Sequence, residues 1–128
     1  MLTLDSDRPC LLLTGDMSRL AEFWRRALRL SVGRERNDRV ELVDDDRRAQ
    51  IIVRQVMPPR PRVRVRLSAF DTQDVAAAVE RLIAFGASSP MSPYPAVPGR
   101  ALVIDPDGNT VEITADVCTP ARRRNRSQ

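Results

Sequence analysis

Met57–Pro61, MPPRP, lies near the middle of the 128 residues and divides the chain into two passes through one order of signals. Proline fixes φ and has no backbone N–H to donate, so this stretch fits neither a sheet ladder nor a helix interior. Before it come an apolar run, an amphipathic helix and strands separated by a polar turn. After it the same order returns. An internal repeat of this length constrains the fold strongly, because neither half can bury its apolar face alone.

In the first pass, Cys10 to Leu13 is an apolar run ending at Thr14-Gly15, which predicts a strand. Asp16 or Ser18 then offers a helix N-cap. Leu20, Phe23, Trp24, Ala27 and Leu28 recur at helical spacing, so Trp24 reads as core rather than as a stacking platform. Ser31-Val32-Gly33 leaves the helix, Arg39 to Val43 alternates as a strand, and Ala49 to Met57 is another. Between them, Asp44-Asp45-Asp46 could suggest a hard-cation loop. Adjacent turn residues point in different directions, however, and Arg47-Arg48 follow directly, so a solvated turn is the better reading.

In the second pass, Val63 to Phe70 is strand-like and Asp71 to Asp74 opens a helix that Gly86 closes. A proline-rich loop precedes the strand Arg100 to Ile104 and the segment DPDGNTVEIT, Asp105 to Thr114. Pro, Gly and Asx residues close its turn. Val111 and Ile113 then face one side, and Thr110, Glu112 and Thr114 the other. Matching DDRRAQI (Asp45–Ile51) with DGNTVEI (Asp107–Ile113) sets Gln50 opposite Glu112. The helices superpose with Trp24 over either Leu82 or Val79, and spacing leaves both open.

At 128 residues the chain suits one domain, with residues 1–120 folded and 121–128 a basic, disordered tail. The sequence pI near 10.3 points to a nucleic-acid partner until the charge is located. Four arginines sit in the last eight residues; without them, seventeen basic residues face seventeen acidic ones. The tail can attract polyanions weakly, and no specific nucleic-acid partner is expected. Histidine and lysine are both absent. That excludes His acid/base chemistry, His-ligated metals, Ser-His triads and Schiff-base lysines within this chain. Cys10 and Cys118 are too few for a zinc motif and read as reduced, buried thiols. With no signal-peptide pattern and no membrane span in the sequence, the expected location is cytoplasmic.

The order and spacing of three motifs resemble the glyoxalase/bleomycin-resistance/dioxygenase superfamily, the vicinal oxygen chelate fold. They are Asp16 to Trp24 (DMSRLAEFW) before Leu28-Arg29-Leu30, where the family shows Leu-Gly-Leu; Val79 to Leu82 with Phe85-Gly86-Ala87; and DPDGNTVEI. The Leu-Ala-Glu-Phe-Trp form and the proline linker resemble its actinobacterial glyoxalase-like branch. The likeness covers roughly residues 8 to 116. It implies an α+β fold of two βαβββ modules, about 8–57 and 62–116, forming a curved mixed sheet around a cleft, in a homodimer.

In the metal-dependent members of the family, a His on the first strand of each module and a Glu near each module's end hold the metal. Those positions carry over to the neighbourhoods of Pro9 and Leu67, and to Gln50 and Glu112. Glu112 alone matches, so metal-dependent lyase, dioxygenase or thiol-transferase activity is not expected, nor is a cofactor. Two classes remain. One is a metal-free protein binding a small organic molecule, as the drug-sequestering members do, with Gln50, Arg54, Leu67, Tyr94 and Glu112 at the ligand. The other is a metal-independent lyase or isomerase with Glu112 as its general base. Binding is favoured, because no partner acid is evident.

Overall fold

The computed structural model describes residues 2–4, 11–58, 63–69, 72–89 and 99–115. A short strand, Thr3–Leu4 (β1), comes first. The first module runs Leu11–Gly15 (β2), Met17–Leu28 (α1), Ser31–Arg36 (β3), Arg39–Val43 (β4) and Ala49–Gln55 (β5). The second runs Arg64–Ala69 (β6), Thr72–Ala84 (α2), Arg100–Ile104 (β7) and Thr110–Ala115 (β8). The strands make two four-stranded mixed sheets, in the orders β2-β5-β4-β3 and β1-β6-β8-β7. Within each sheet one pair, β2 with β5 or β6 with β8, is parallel and the others are antiparallel. This is the α+β, paired-module architecture read from the repeat.

Two details differ from the sequence reading. Ser31 does not merely leave the helix but starts β3, and β3 turns at Asn37-Asp38 into β4 as a two-residue hairpin. In the second module the equivalent of β3 is a single bridge among the described residues, Ser88 to Ile104, matching Ser31 to Val43. The fourth strand of that sheet is β1, which comes from the N-terminus and pairs with β6 of the second module.

Local chemistry explains the helix ends. Asp16 takes an extended conformation and its carboxylate accepts the N–H of Arg19 at 3.2 Å, satisfying one orphan donor of the first turn. At the other end Arg29 adopts the left-handed conformation, φ 54°, where the family resemblance has glycine. The open helix superposition is resolved by burial: Leu20, Phe23, Trp24 and Ala27 are buried at the same spacing as Val75, Ala78, Val79 and Leu82. Trp24 therefore corresponds to Val79. Both stripes join one apolar cluster that also holds Leu13, Ile51, Leu67, Val103 and Ile113.

Polar bonds tie the first helix to the second module. Trp24 is wholly buried, and its indole N–H donates to Asp105 at 3.1 Å. Asp107 accepts from the Asp16 N–H at 2.6 Å and from Nε of Arg19 at 2.7 Å. The hydrogen bond to Asp107 raises the Arg19 pKa above its usual value, so the guanidinium stays charged throughout. Hydrogen bonding of these buried carboxylates removes what would otherwise be a large desolvation penalty.

Candidate functional site

Of the candidate site residues, Arg54 and Glu112 lie on sheet faces turned away from the helices. Along β8, Val111 and Ile113 are buried and Glu112 projects to the opposite side. Its Oε2 accepts from Arg100 at 2.9 Å, and Arg66 Nε stands 3.9 Å from Oε1. Arg66 is its direct neighbour on β6 and Leu102 on β7. Leu67 corrects the sequence reading: it is fully buried among the core residues, because strand alternation sends it the opposite way from Arg66 and Ser68. Tyr94 and Pro9 fall outside the described residues.

Gln50 is half-buried, and its Nε2 donates to Asp44 at 3.0 Å. It borders a cavity of about 500 Å³ with Leu4, Leu28, Arg29, Leu30 and Asp45. Gln50 is not the counterpart of Glu112. The two turns superpose on Asp44 and Asp105, each of which accepts the N–H groups two and four residues ahead. The β4–β5 register then shifts between Leu42 and Val43, so that Leu42 faces Ile51 as Val103 faces Val111. The extra residue is Gln50, and the structural counterpart of Glu112 is Ile52. A bulge adds a residue without altering the apolar pattern around it, which is why sequence matching aligned the wrong residue.

On the open face of the first sheet Ile52 has Leu12 on one side and Glu41 on the other. The next row along the strands is Thr14, Arg54, Arg39 and Arg36. Arg54 therefore does lie on an open face, but among residues that the sequence reading did not single out. The missed signal was RERNDR, Arg34 to Arg39: alternating residues followed by Asn-Asp is a hairpin pattern, and it places Arg34, Arg36 and Arg39 at one sheet end.

These positions can be tested against a divalent ion. At the row that carries Glu112, the parallel strand pairs that match the family's ligand positions offer Leu12 and Ile52 on β2 and β5, and Arg66 and an already paired carboxylate on β6 and β8. Two hydrocarbons and a guanidinium donate nothing to a cation, so the residues do not fit a metal. Among the described residues no group of three or more His, Cys, Asp or Glu side chains is placed to hold one.

Paired modules, each a mixed sheet with one helix over one face and the other face open, define the glyoxalase/bleomycin-resistance/dioxygenase class of fold. The Glyoxalase-like domain model matches residues 9–114, and the chain belongs to that family. Solved structures agree on the fold. A glyoxalase/bleomycin resistance protein/dioxygenase family enzyme from Burkholderia phytofirmans superposes with a TM-score of 0.67 at 15% identity, over 86% of this chain and 98% of that one. A possible glyoxalase from Bacillus cereus gives 0.67 at 18% identity, over 86% and 99%. A fosfomycin resistance protein from Listeria monocytogenes, solved with manganese(II) and sulfate, gives 0.66 at 17% identity, over 97% and 99%. No curated protein sequence matches this chain. Among the described residues no helix is long and apolar enough to cross a membrane.

Proposed function

We propose that this chain binds a small organic molecule without a metal ion, in the manner of the drug-binding branch of its superfamily, and works as a homodimer in the cytoplasm. The observation that carries the reading is the open face of the first sheet. Leu12, 47% exposed, and the half-buried Ile52 make an apolar floor beside Thr14 and the guanidinium of Arg54. A floor of this kind with a few polar groups at its rim is the usual composition of a small-molecule site. Gln50, Tyr94 and Glu112 belong to the same proposal as polar contacts, Glu112 by holding Arg66 and Arg100 in place.

The alternative role for Glu112, a general base, has less support. A base needs a carboxylate oxygen that can meet the substrate, and here Oε2 is spent on Arg100 while Arg66 approaches Oε1.

A thermal-shift screen of natural products and small acids tests the binding reading, since a ligand of the native state alone must raise the melting temperature. Shifts from at least one compound class, unchanged by chelator, are expected; a full screen with no shift overturns it. Elemental analysis of protein made without a His-tag tests the metal-free part. Near-stoichiometric Zn, Ni, Mn or Fe surviving dialysis would overturn that part. Light scattering at micromolar concentration should give twice the chain mass, and a monomer across a dilution series would remove the dimer.

A further inference from the structure

The arginines of the first sheet are arranged in a way that folding alone does not explain. Arg36 on β3 lies directly opposite Arg39 on β4, and Arg39 lies directly opposite Arg54 on β5. Three guanidinium-bearing residues thus occupy one row across three adjacent strands, all on the face away from the helix. Like charges placed directly across a strand pair destabilise it. Arg34 joins them, lining with Arg36, Arg39 and Glu41 a depression of about 270 Å³. None of the four arginines has an ion-pair partner among the described residues. Arg36 and Arg54 are exposed and Arg39 is half-buried.

The second sheet provides an internal control. Arg100 occupies in β7 the position that Arg39 occupies in β4, by the register that equates Leu42 with Val103. Arg100 is neutralised by Glu112 at 2.9 Å. In the first sheet the counterpart of Glu112 is Ile52, so the same fold position carries an arginine without its carboxylate. In the second sheet Glu112 answers Arg66 and Arg100, whereas in the first Arg36, Arg39 and Arg54 have no such carboxylate among the described residues.

We infer that the ligand of the first sheet is a small organic anion, carrying a phosphate, phosphonate or paired carboxylate that the Arg36–Arg39–Arg54 row receives, with the remainder lying on Ile52 and Leu12. This rests on the small-molecule reading above and names the chemical class of its ligand. Guanidinium groups bind such oxyanions through paired, charge-assisted hydrogen bonds. With neighbouring residues about 5 Å apart, the row spans about 10 Å, the reach of one small oligoanion. The depression beside Arg34, Arg36 and Arg39, about 270 Å³, is of the size that takes a small anionic group. Glu41 at its edge opposes a continuous polyanion track, and it can accept a hydrogen bond from a ligand hydroxyl or amine.

The test uses the full chain and three variants, Arg39→Gln with Arg54→Gln together, and Arg81→Gln (exposed on α2) and Arg64→Gln as single controls. Inorganic phosphate, pyrophosphate and citrate are the probes, at ionic strength held constant with chloride, read by thermal shift and calorimetry. The wild type and both controls should be stabilised by at least one probe, and the double variant should lose about tenfold or more of that affinity. The ligand-free double variant should also melt higher than the wild type at low salt. The difference should shrink in roughly 0.5 M salt, where the screening length falls below about 5 Å. A merely structural role for these arginines predicts the reverse, a lower melting temperature. An equal response of the double variant to the probes, or none by the wild type, overturns the inference. If neutral compounds alone bind, the anion class falls and the small-molecule reading stands; if nothing binds, both fall. A single-stranded oligonucleotide that binds with a steep salt slope, undisplaced by pyrophosphate, would also overturn it in favour of a nucleic-acid surface.

Discussion

Asp44 and Asp105 close corresponding turns with the same pair of bonds: Oδ1 of each accepts the backbone N–H groups two and four residues ahead, at 2.8–3.0 Å. Their surroundings differ. The Asp44 bonds are exposed, whereas Asp105 is buried and also accepts from Asn109 Nδ2 and the Trp24 indole. Water can replace a lost partner at the first turn and cannot at the second. Asp105→Ala should therefore cost about 3 kcal/mol or more, and Asp44→Ala about 1 kcal/mol, by urea denaturation. Equal costs would show that the buried bonds carry no extra weight.

Gly15 is required by close approach. A Cβ there would run into the Asp107 carboxylate and also meet a Leu20 methyl at 3.0 Å. Asp107 cannot swing aside without releasing Asp16 and Arg19. Gly15→Ala should destabilise the chain by about 1–3 kcal/mol, and a neutral result in denaturant would contradict the packing described.

Arg29 offers the opposite outcome. A non-glycine residue in the left-handed conformation carries strain of about 1 kcal/mol, and nothing about the cap needs its side chain, since the bond it makes is from its backbone N–H to Arg25. Arg29→Gly should raise stability by about 0.5–1 kcal/mol, after allowing for the freer unfolded chain. A loss of stability would mean that the guanidinium makes a contribution the helix end does not reveal.

Glu22 sets a pH dependence on the exposed side of α1. The hydrogen bond from Arg25, supported by the charges of Arg25 and Arg26, lowers its carboxyl pKa below the usual value. A folded-state value below the unfolded one contributes stability that is present above the unfolded pKa and is lost as pH falls through the folded one. Glu22→Gln should abolish a small part of the acid-side decline in urea midpoint and leave the neutral-to-alkaline range parallel to wild type. Identical acid limbs would show the pair to be silent, as many exposed pairs are.

Much of this protein is legible from residue order alone. The helical stripe of Leu20, Phe23, Trp24 and Ala27, the alternation of Val111, Glu112 and Ile113, and the proline linker determine the elements, their repeat and so the fold, because burial periodicity is a local property of the chain. The lack of histidine likewise determines which chemistries are closed to it. What tertiary structure alone decided is which residues meet. The bulge at Gln50 moved the counterpart of Glu112 to Ile52, β1 crossed to the far module, and Leu67 turned into the core. The row of Arg36, Arg39 and Arg54 exists only through strand register, which depends on pairing between segments distant in sequence. A shift of one residue would send those side chains to the opposite face.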